Sequence, residues 1–299
     1  MKKLSIIIVT YNSEKDIYDC LDSIYSHCDI PIKELEVIIV DNNSKETDIM
    51  FDTIQHKYDN NVVLIKNSAN GGYGQGNNVG IRNASAPIIL IMNPDVRLTS
   101  SNFKSVLKHF EKDPKLSMYG MKQLLDDNRP SVNSFNCNSM VNGYLATLLT
   151  GFCNRRDIYI PRFMYFSGSC FYIRKSMFES IGLFDESIFM YGEENDIFHR
   201  MKFKHGTHFF YNKDITYKHL TLDRIPNEMT EDQMLHSMIR VNEKFGYSKR
   251  KTIRNKIQNI NILLLREQIK KAFALHYDAN KLSMFKRYKK HLNEFKFKY

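Results

Sequence analysis

The sequence is short of several things, and each shortage narrows its class. Its five cysteines, Cys20, Cys28, Cys137, Cys153 and Cys170, are odd in number and scattered, with no C-x-x-C pair. A disulfide framework and a structural zinc site are therefore not expected, and a reducing compartment such as the cytoplasm is. No apolar stretch approaches the roughly 20 residues of a spanning helix, so any membrane contact is expected to be peripheral. The opening Met-Lys-Lys-Leu-Ser-Ile-Ile-Ile-Val places basic residues before an apolar run, but that run stops at Val9. It is too short for the h-region of a signal peptide and lacks a cleavage site, so secretion is not expected. The chain also lacks a Walker A loop, and no Gly-x-Gly-x-x-Gly follows its first apolar run.

Charge of one sign is missing from most of the chain. The formal net charge is +10, yet residues 249–299 hold 15 Lys and Arg against 3 acidic residues, which leaves the first 248 residues at −2. The basic excess belongs to the tail. A nucleic-acid partner spread over the main body is not expected.

Among the features present, residues 88–96, Ile-Ile-Leu-Ile-Met-Asn-Pro-Asp-Val, stand at the centre. An uninterrupted apolar run bounded by Pro87 and Pro94 reads as a strand covered on both faces, with Asp95 at its carboxyl end. Ligands of open α/β sheets bind at that end. The plainer alternative is turn chemistry, since Asn, Pro and Asp are common turn formers.

Residues 4–9, 36–40 and 62–66 give three more strands, each ending on polar residues. Helical patterns separate them. Ser13 is expected to cap the first helix, with Asp16 completing an acidic variant of the capping box. Repeated β-then-α units predict a doubly wound, mostly parallel sheet with right-handed crossovers, its polar strand ends on one edge. The glycine- and asparagine-rich stretch 67–81 reads as a loop, either one that lets backbone approach a ligand or a flexible surface loop. Residues 101–112 resume a helical pattern.

Residues 123–163 are poor in periodicity and rich in Asn and Ser, and read as mostly loop with one short helix near 140–150. A loop this long is functional or disordered, and this one suits the substrate side. A turn and strand over 166–175 and a short glycine-closed helix follow. Then Glu193, Glu194 and Asp196 crowd together after an aromatic segment. Crowded carboxylates raise one another's pKa, which suits a general base; an acidic helix N-terminus over 194–204 explains the cluster equally well. Residues 206–218 read as a strand ending beside His219, which matters only as a partner for a metal-binding carboxylate.

Five signals occur in order: Ser-Ile-Ile-Ile-Val-Thr-Tyr-Asn-Ser, Val-Ile-Ile-Val-Asp-Asn-Asn-Ser, Asn-Gly-Gly-Tyr-Gly-Gln-Gly-Asn-Asn, Ile-Met-Asn-Pro-Asp-Val and Gly-Leu-Phe-Asp-Glu-Ser-Ile-Phe-Met-Tyr-Gly-Glu-Glu-Asn-Asp. Together they closely resemble family 2 glycosyltransferases of the GT-A fold, particularly the rhamnosyltransferase-like branch. The resemblance covers about residues 4–222. It implies a Rossmann-like, mostly parallel sheet flanked by helices over 1–222, with 123–163 on the acceptor side, and a basic helical extension over 223–299. It implies an inverting transferase that uses a nucleotide-diphosphate sugar, dTDP-rhamnose before a UDP-sugar, and Mg²⁺ or Mn²⁺.

Carried over by position, Thr10, Tyr11 and Asn12 would line the nucleotide site, Asp41 would accept from the pyrimidine or ribose, and Asn70, Gly71 and Gly72 would lie along the nucleotide. Asn93-Pro94-Asp95 stands where the family has Asp-x-Asp, so Asp95 is the implied metal ligand and Asn93 replaces the first acid. His219 matches a histidine that completes the metal site in some members. Glu194 is the implied base, with Glu193 and Asp196 as alternatives. The acceptor would be a glycan or lipid-linked glycan of a bacterial surface polysaccharide.

From residue 231 the chain reads as helical. Lys and Arg interleaved with Phe285, Tyr288, Phe295, Phe297 and Tyr299 resemble an interfacial segment drawn to the anionic inner face of the cell membrane. A packed or homodimeric helical extension is the equal alternative. A silent nucleotide-sugar-binding module and a basic adaptor are the competing functions.

Overall fold

A computed structural model of the chain describes residues 1–58, 62–138, 141–205, 208–220, 227–273, 275 and 277–297. The β-branched runs form β1 (Leu4–Thr10), β2 (Leu35–Asp41), β3 (Val62–Lys66) and β4 (Ile88–Met92), separated by α1 (Glu14–Ser26), α2 (Thr47–Tyr58) and α3 (Gly72–Asn83). These four strands are mutually parallel, in the order β3-β2-β1-β4. Next come β5 (Val96–Leu98), α4 (Phe103–Lys112), β6 (Leu116–Leu124), β7 (Phe135–Cys137), α5 (Gly143–Arg156), β8 (Met164–Phe166) and β9 (Cys170–Arg174). After α6 (Lys175–Ser180), α7 (Glu193–His205) and β10 (His208–His219) the sheet is complete, in the order β3-β2-β1-β4-β9-β6-β10-β5. β9 runs antiparallel between β4 and β6, β10 runs parallel to β6, and β5 runs antiparallel to β10.

Both faces of the sheet are covered, which is why its central strands are apolar without alternation. Successive side chains of a strand point to opposite faces. Ile6, Ile8, Val37 and Ile39 pack with residues of α1, α2 and α4, whereas Ile7, Ile38 and Val40 pack with residues of α3, α6 and α7. A third apolar core joins α8 (Glu228–Lys244), α9 (Lys249–Ala272) and α10 (Ala279–Phe297).

Several local readings are corrected. The stretch 67–81 is helical from Gly72, because its glycines form the face that meets the sheet. A Cβ on Gly76 would lie 2.7 Å from Val9 Cγ1, and one on Gly80 would lie 2.5 Å from Ile7 Cγ2. The Ser13 hydroxyl does not cap α1; it turns back to the Tyr11 carbonyl at 3.2 Å. Within residues 123–163 the expected short helix is longer, as α5, and β7 adds a strand that pairs with β8 just beyond the range. Asn142 caps α5 by accepting from the Tyr144 amide, and Asp157 closes it with φ +54°.

In the tail, Phe285 and Tyr288 are 2% and 0% exposed within the third core, so they serve packing and not a membrane. Tyr299, the side chains of Phe295 and Phe297, and the expected 222/223 boundary lie outside the described residues. Among those residues, no helix is long and apolar enough to cross a membrane.

The close approach of α3 is directly testable. Gly80→Ala gains about 1 kcal/mol of helix propensity but overpacks against Ile7, a cost of about 1–3 kcal/mol. Urea unfolding is expected to show a net loss of up to about 2 kcal/mol.

Candidate functional site

The expected site residues collect at the carboxyl edge of the parallel strands, but in two layers. Asp41, at the end of β2, is fully buried. Its carboxylate accepts from the Thr10 hydroxyl at 2.8 Å, the Ser44 hydroxyl and amide at 2.6 and 2.8 Å, and the Thr47 hydroxyl at 2.6 Å. Four donors fill the acceptor sites of a carboxylate. Asp41 and the equally buried Thr10 therefore lie in the lower layer of the strand-end edge, bonded to one another and to Ser44 and Thr47.

The outer layer holds the groups free to meet a ligand. Tyr11 is half exposed, and Asn12 sits in the left-handed region with φ +50°, its carboxamide oxygen accepting from the Lys45 amide. Asn70 accepts from the Gly72 amide at 3.0 Å, and Gly71 is partly exposed beside it, while Gly72 itself is buried. A residue the sequence did not single out joins these segments. The Asn42 carboxamide donates to the Gly72 carbonyl at 3.0 Å and accepts from Asn67 at 2.8 Å. Its position directly after Asp41 was the available signal.

Asp95 and His219 meet across the sheet because β5 pairs with β10, bringing Val96 opposite His219. Asp95 Oδ1 lies 3.3 Å from His219 Nε2. Two adjacent ligands of an octahedral ion with bonds of about 2.1 Å are about 3 Å apart, so the pair fits one divalent cation. His219 Nδ1 lies 3.3 Å from the Gln123 amide nitrogen. As placed, that amide donates to Nδ1, which leaves the ring proton on Nε2; holding a metal through Nε2 would require the Gln123 carboxamide to turn so that its carbonyl meets Nδ1–H. Among the described residues, no group of three or more His, Cys, Asp or Glu side chains gathers to hold a metal. The pair would need ligand and water oxygens to complete a shell. Asn93 is partly exposed beside it, and its amide donates to the Ser169 carbonyl at 2.9 Å.

That same turn carries the other half of the site. The Gly168 amide donates to Glu194 Oε1 at 3.0 Å, and the Gly168 carbonyl accepts from the Tyr73 hydroxyl at 2.6 Å. A side chain at 168 would collide with the Glu194 carboxylate, so glycine is required there. Ser167 and Ser169 continue through Tyr217 to Gln123. One polar chain therefore links His219 to the turn that holds Glu194.

The three acidic candidates separate by environment. Glu194 lines a cavity of about 480 Å³, a size suited to a small-molecule or glycan group. Burial raises its pKa above the ordinary 4.5, while the Gly168 and Gly192 amides hold the rise in check. Glu193 is buried behind it, its Oε1 without a hydrogen-bond partner among the described residues. Burial and the adjoining Glu194 charge push its carboxyl well up.

Asp196 is ruled out as a base, for its fully buried carboxylate is spent on Arg200 and, at 2.7 Å, on Lys244. Lys244 also reaches Asp185 at 2.8 Å. Burial alone would raise the Asp185 carboxyl, but this ammonium and the Ser187 hydroxyl and amide hold it down at about 2. His199 packs on Phe245 with ring centroids 4.6 Å apart, and burial, aided by Lys202, pushes its pKa down to about 4. It stays neutral at pH 7. These contacts fasten α7 to α8.

The cavity also has walls the sequence did not reveal. Asparagines 133, 136, 138, 195, 242, 255 and 259 line it, with Lys256 and Arg266 of α9. Carboxamides both donate and accept without charge, which suits sugar hydroxyls.

Residues 5–133 match the model of glycosyl transferase family 2. The low-salt glycan biosynthesis hexosyltransferase Agl10 of Haloferax volcanii is 28% identical over 205 residues, covering 67% of this chain and 61% of that protein. The poly(ribitol-phosphate) beta-N-acetylglucosaminyltransferase TarS of Staphylococcus aureus is 33% identical over 107 residues, 35% of this chain and 18% of that one. The chain thus spans less than two thirds of either relative. Among solved structures, the mannosyltransferase PcManGT from Pyrobaculum calidifontis, in complex with GDP-Man and Mn²⁺, aligns with a TM-score of 0.65 at 14% identity, over 99% of this chain and 87% of that one. S. aureus TarS aligns with a TM-score of 0.57 at 18% identity, over 87% and 43%.

Two substitutions separate the acids. Glu193→Gln removes a group whose folded pKa lies above its unfolded value, so its ionised form weighs against folding. The variant is expected to melt higher than the parent at pH 7, and the gap is expected to close as pH falls below about 4.5, read as melting temperature against pH. Asp196→Asn strands Arg200, leaves Lys244 on Asp185 alone, and is expected to cost about 3 kcal/mol in urea unfolding.

Proposed function

We propose, on the premise that residues 5–133 belong to glycosyl transferase family 2 and that the fold is GT-A, that the chain is an inverting transferase acting on a nucleotide-diphosphate sugar. The observation that carries this reading is the half-buried Glu194 carboxylate, held by the Gly168 amide at the wall of an asparagine-lined cavity. Asp95 and His219 sit on the far side of the same turn.

In this reading, the acceptor hydroxyl lies against Glu194, which takes its proton as the oxygen attacks the anomeric carbon opposite the diphosphate. The C–O bond to the acceptor forms as the bond to the diphosphate breaks, so one displacement inverts the centre. The raised pKa makes Glu194 a stronger base than an exposed carboxylate while leaving it ionisable. Tyr11, Asn12, Asn70 and Gly71 border the nucleotide, and Asn93 faces the diphosphate. Asp95 and His219 would hold a Mg²⁺ or Mn²⁺ ion, which would neutralise charge on the diphosphate.

Residues 1–222 carry the chemistry and 223–299 complete the acceptor wall. The motif set supports dTDP-rhamnose as donor. The hexosyl and N-acetylglucosaminyl activities named for the relatives keep a UDP-sugar second. The asparagine-rich cavity lining supports a glycan or lipid-linked glycan acceptor, used in surface polysaccharide synthesis at the cytoplasmic side of the membrane.

The first experiment is a thermal-shift screen of dTDP, UDP, GDP and CDP sugars with and without Mn²⁺, since a ligand that binds only the folded state raises its stability. A Mn²⁺-dependent shift with dTDP-rhamnose is expected, lost in Asp95→Ala; no shift with any nucleotide sugar overturns the reading. With the donor identified, Glu194→Gln is expected to lower kcat by roughly 10²–10⁴ with donor affinity retained. The rising limb of the parent's pH–rate profile is expected above 4.5, because the base must be ionised and its pKa is raised.

A further inference from the structure

α5 and α9 pack side by side, with the Thr147 hydroxyl and the Asn259 carboxamide 2.8 Å apart at their contact. Their outer faces are apolar and uncovered. On α5, Tyr144, Leu148 and Phe152 follow one another at helical spacing and are 41, 56 and 54% exposed, with Leu145 alongside at 51%. On α9, Asn261 donates to the Tyr144 hydroxyl at 3.0 Å. Leu265 and Ile269 continue that row by one and two turns, 51 and 45% exposed. The two rows therefore form one ridge. Contiguous apolar surface of this kind marks an interaction site.

The margin of the ridge decides what covers it. Arg155 and Arg156 end α5, and Lys270 and Lys271 end α9. No acidic residue occurs in α5, and the one in α9, Glu267, is buried and paired with Lys270. A second copy of this face would bring like charges together, which opposes self-association. An apolar ridge of aromatic and aliphatic side chains with a wholly cationic border fits an anionic lipid interface.

We propose that the exposed faces of α5 and α9 form a contact surface for an anionic bilayer. This moves the membrane contact from Phe285 and Tyr288 of α10, which are buried, to a surface built jointly by two segments far apart in the chain. The other sides of these helices line the cavity at Glu194, through Thr147 and Gly151 of α5 and Asn259 and Arg266 of α9. A docked chain would hold that cavity beside the leaflet, where a lipid-linked acceptor presents its glycan. The acceptor clause rests on the transferase reading; the surface itself does not.

The test is co-sedimentation of the full chain with vesicles of phosphatidylcholine alone or mixed with phosphatidylglycerol. Binding to the mixed vesicles is expected, weakened by salt. Replacing Leu148, Phe152 and Leu265 with Gln keeps helix propensity and removes three apolar anchors, so the bound fraction is expected to fall at least about tenfold with melting temperature unchanged. Arg155→Gln with Arg156→Gln is expected to weaken binding to the mixed vesicles only. A parent that stays in the supernatant with both vesicles overturns the proposal, as does a triple variant that binds undiminished. A parent dimer that the triple variant converts to a monomer, with no vesicle binding, overturns it in favour of a second copy. Turnover of donor with a water-soluble acceptor is measured in parallel: its loss in the parent sinks the transferase reading without touching the vesicle result.

Discussion

A charge buried without a cation to pair it is tolerable only when hydrogen bonds replace its hydration, and Asp41 shows that constraint at the centre of the fold. Its carboxylate takes donors from the end of β1, from the turn after β2 and from the start of α2. Hydrogen bonds to an ionised group are the stronger kind, and here all four are internal. Three chain segments are thereby fixed at one point. Asn42 extends the arrangement to the loop after β3, through Asn67, Asn70 and the Gly72 carbonyl. The pocket edge is stiff because its lower layer is saturated, which leaves the upper layer free to bind.

A second constraint governs the catalytic side. Glu194 lies at a helix N-terminus, where the dipole favours an anion, yet its burial favours the neutral acid. The Gly168 amide sets the balance and the position together. Behind it, Lys244 clamps Asp185 and Asp196, so the start of α7 is tied to the end of α8. The C-terminal helices thus belong to the architecture of the site, both as this clamp and as the wall formed by α9.

The basic tail gains a different meaning once folded. Phe285 and Tyr288 join the core of a helical unit, and several of its cations are left on the outside, bordering an apolar ridge shared with α5. Charge and hydrophobicity separated by sequence distance become neighbours by packing.

Apolar runs ended by polar turns were enough to locate the four parallel strands and the first helix between them, because both signals are local. The same locality exposed Asp95, Glu193 and Glu194 as notable, and the ordered motifs suggested their chemistry. Glycine in a ligand loop and glycine on a helix face pressed against a sheet look alike in one dimension, so the start of α3 was hidden. The antiparallel insertion of β9, the cross-sheet meeting of Asp95 with His219, and the choice among three acids all depend on which groups face each other. Asp196 differs from Glu194 only through Arg200 and Lys244, the latter a partner 48 residues away. Burial and long-range pairing assign those roles, and neither is a property of a segment read alone.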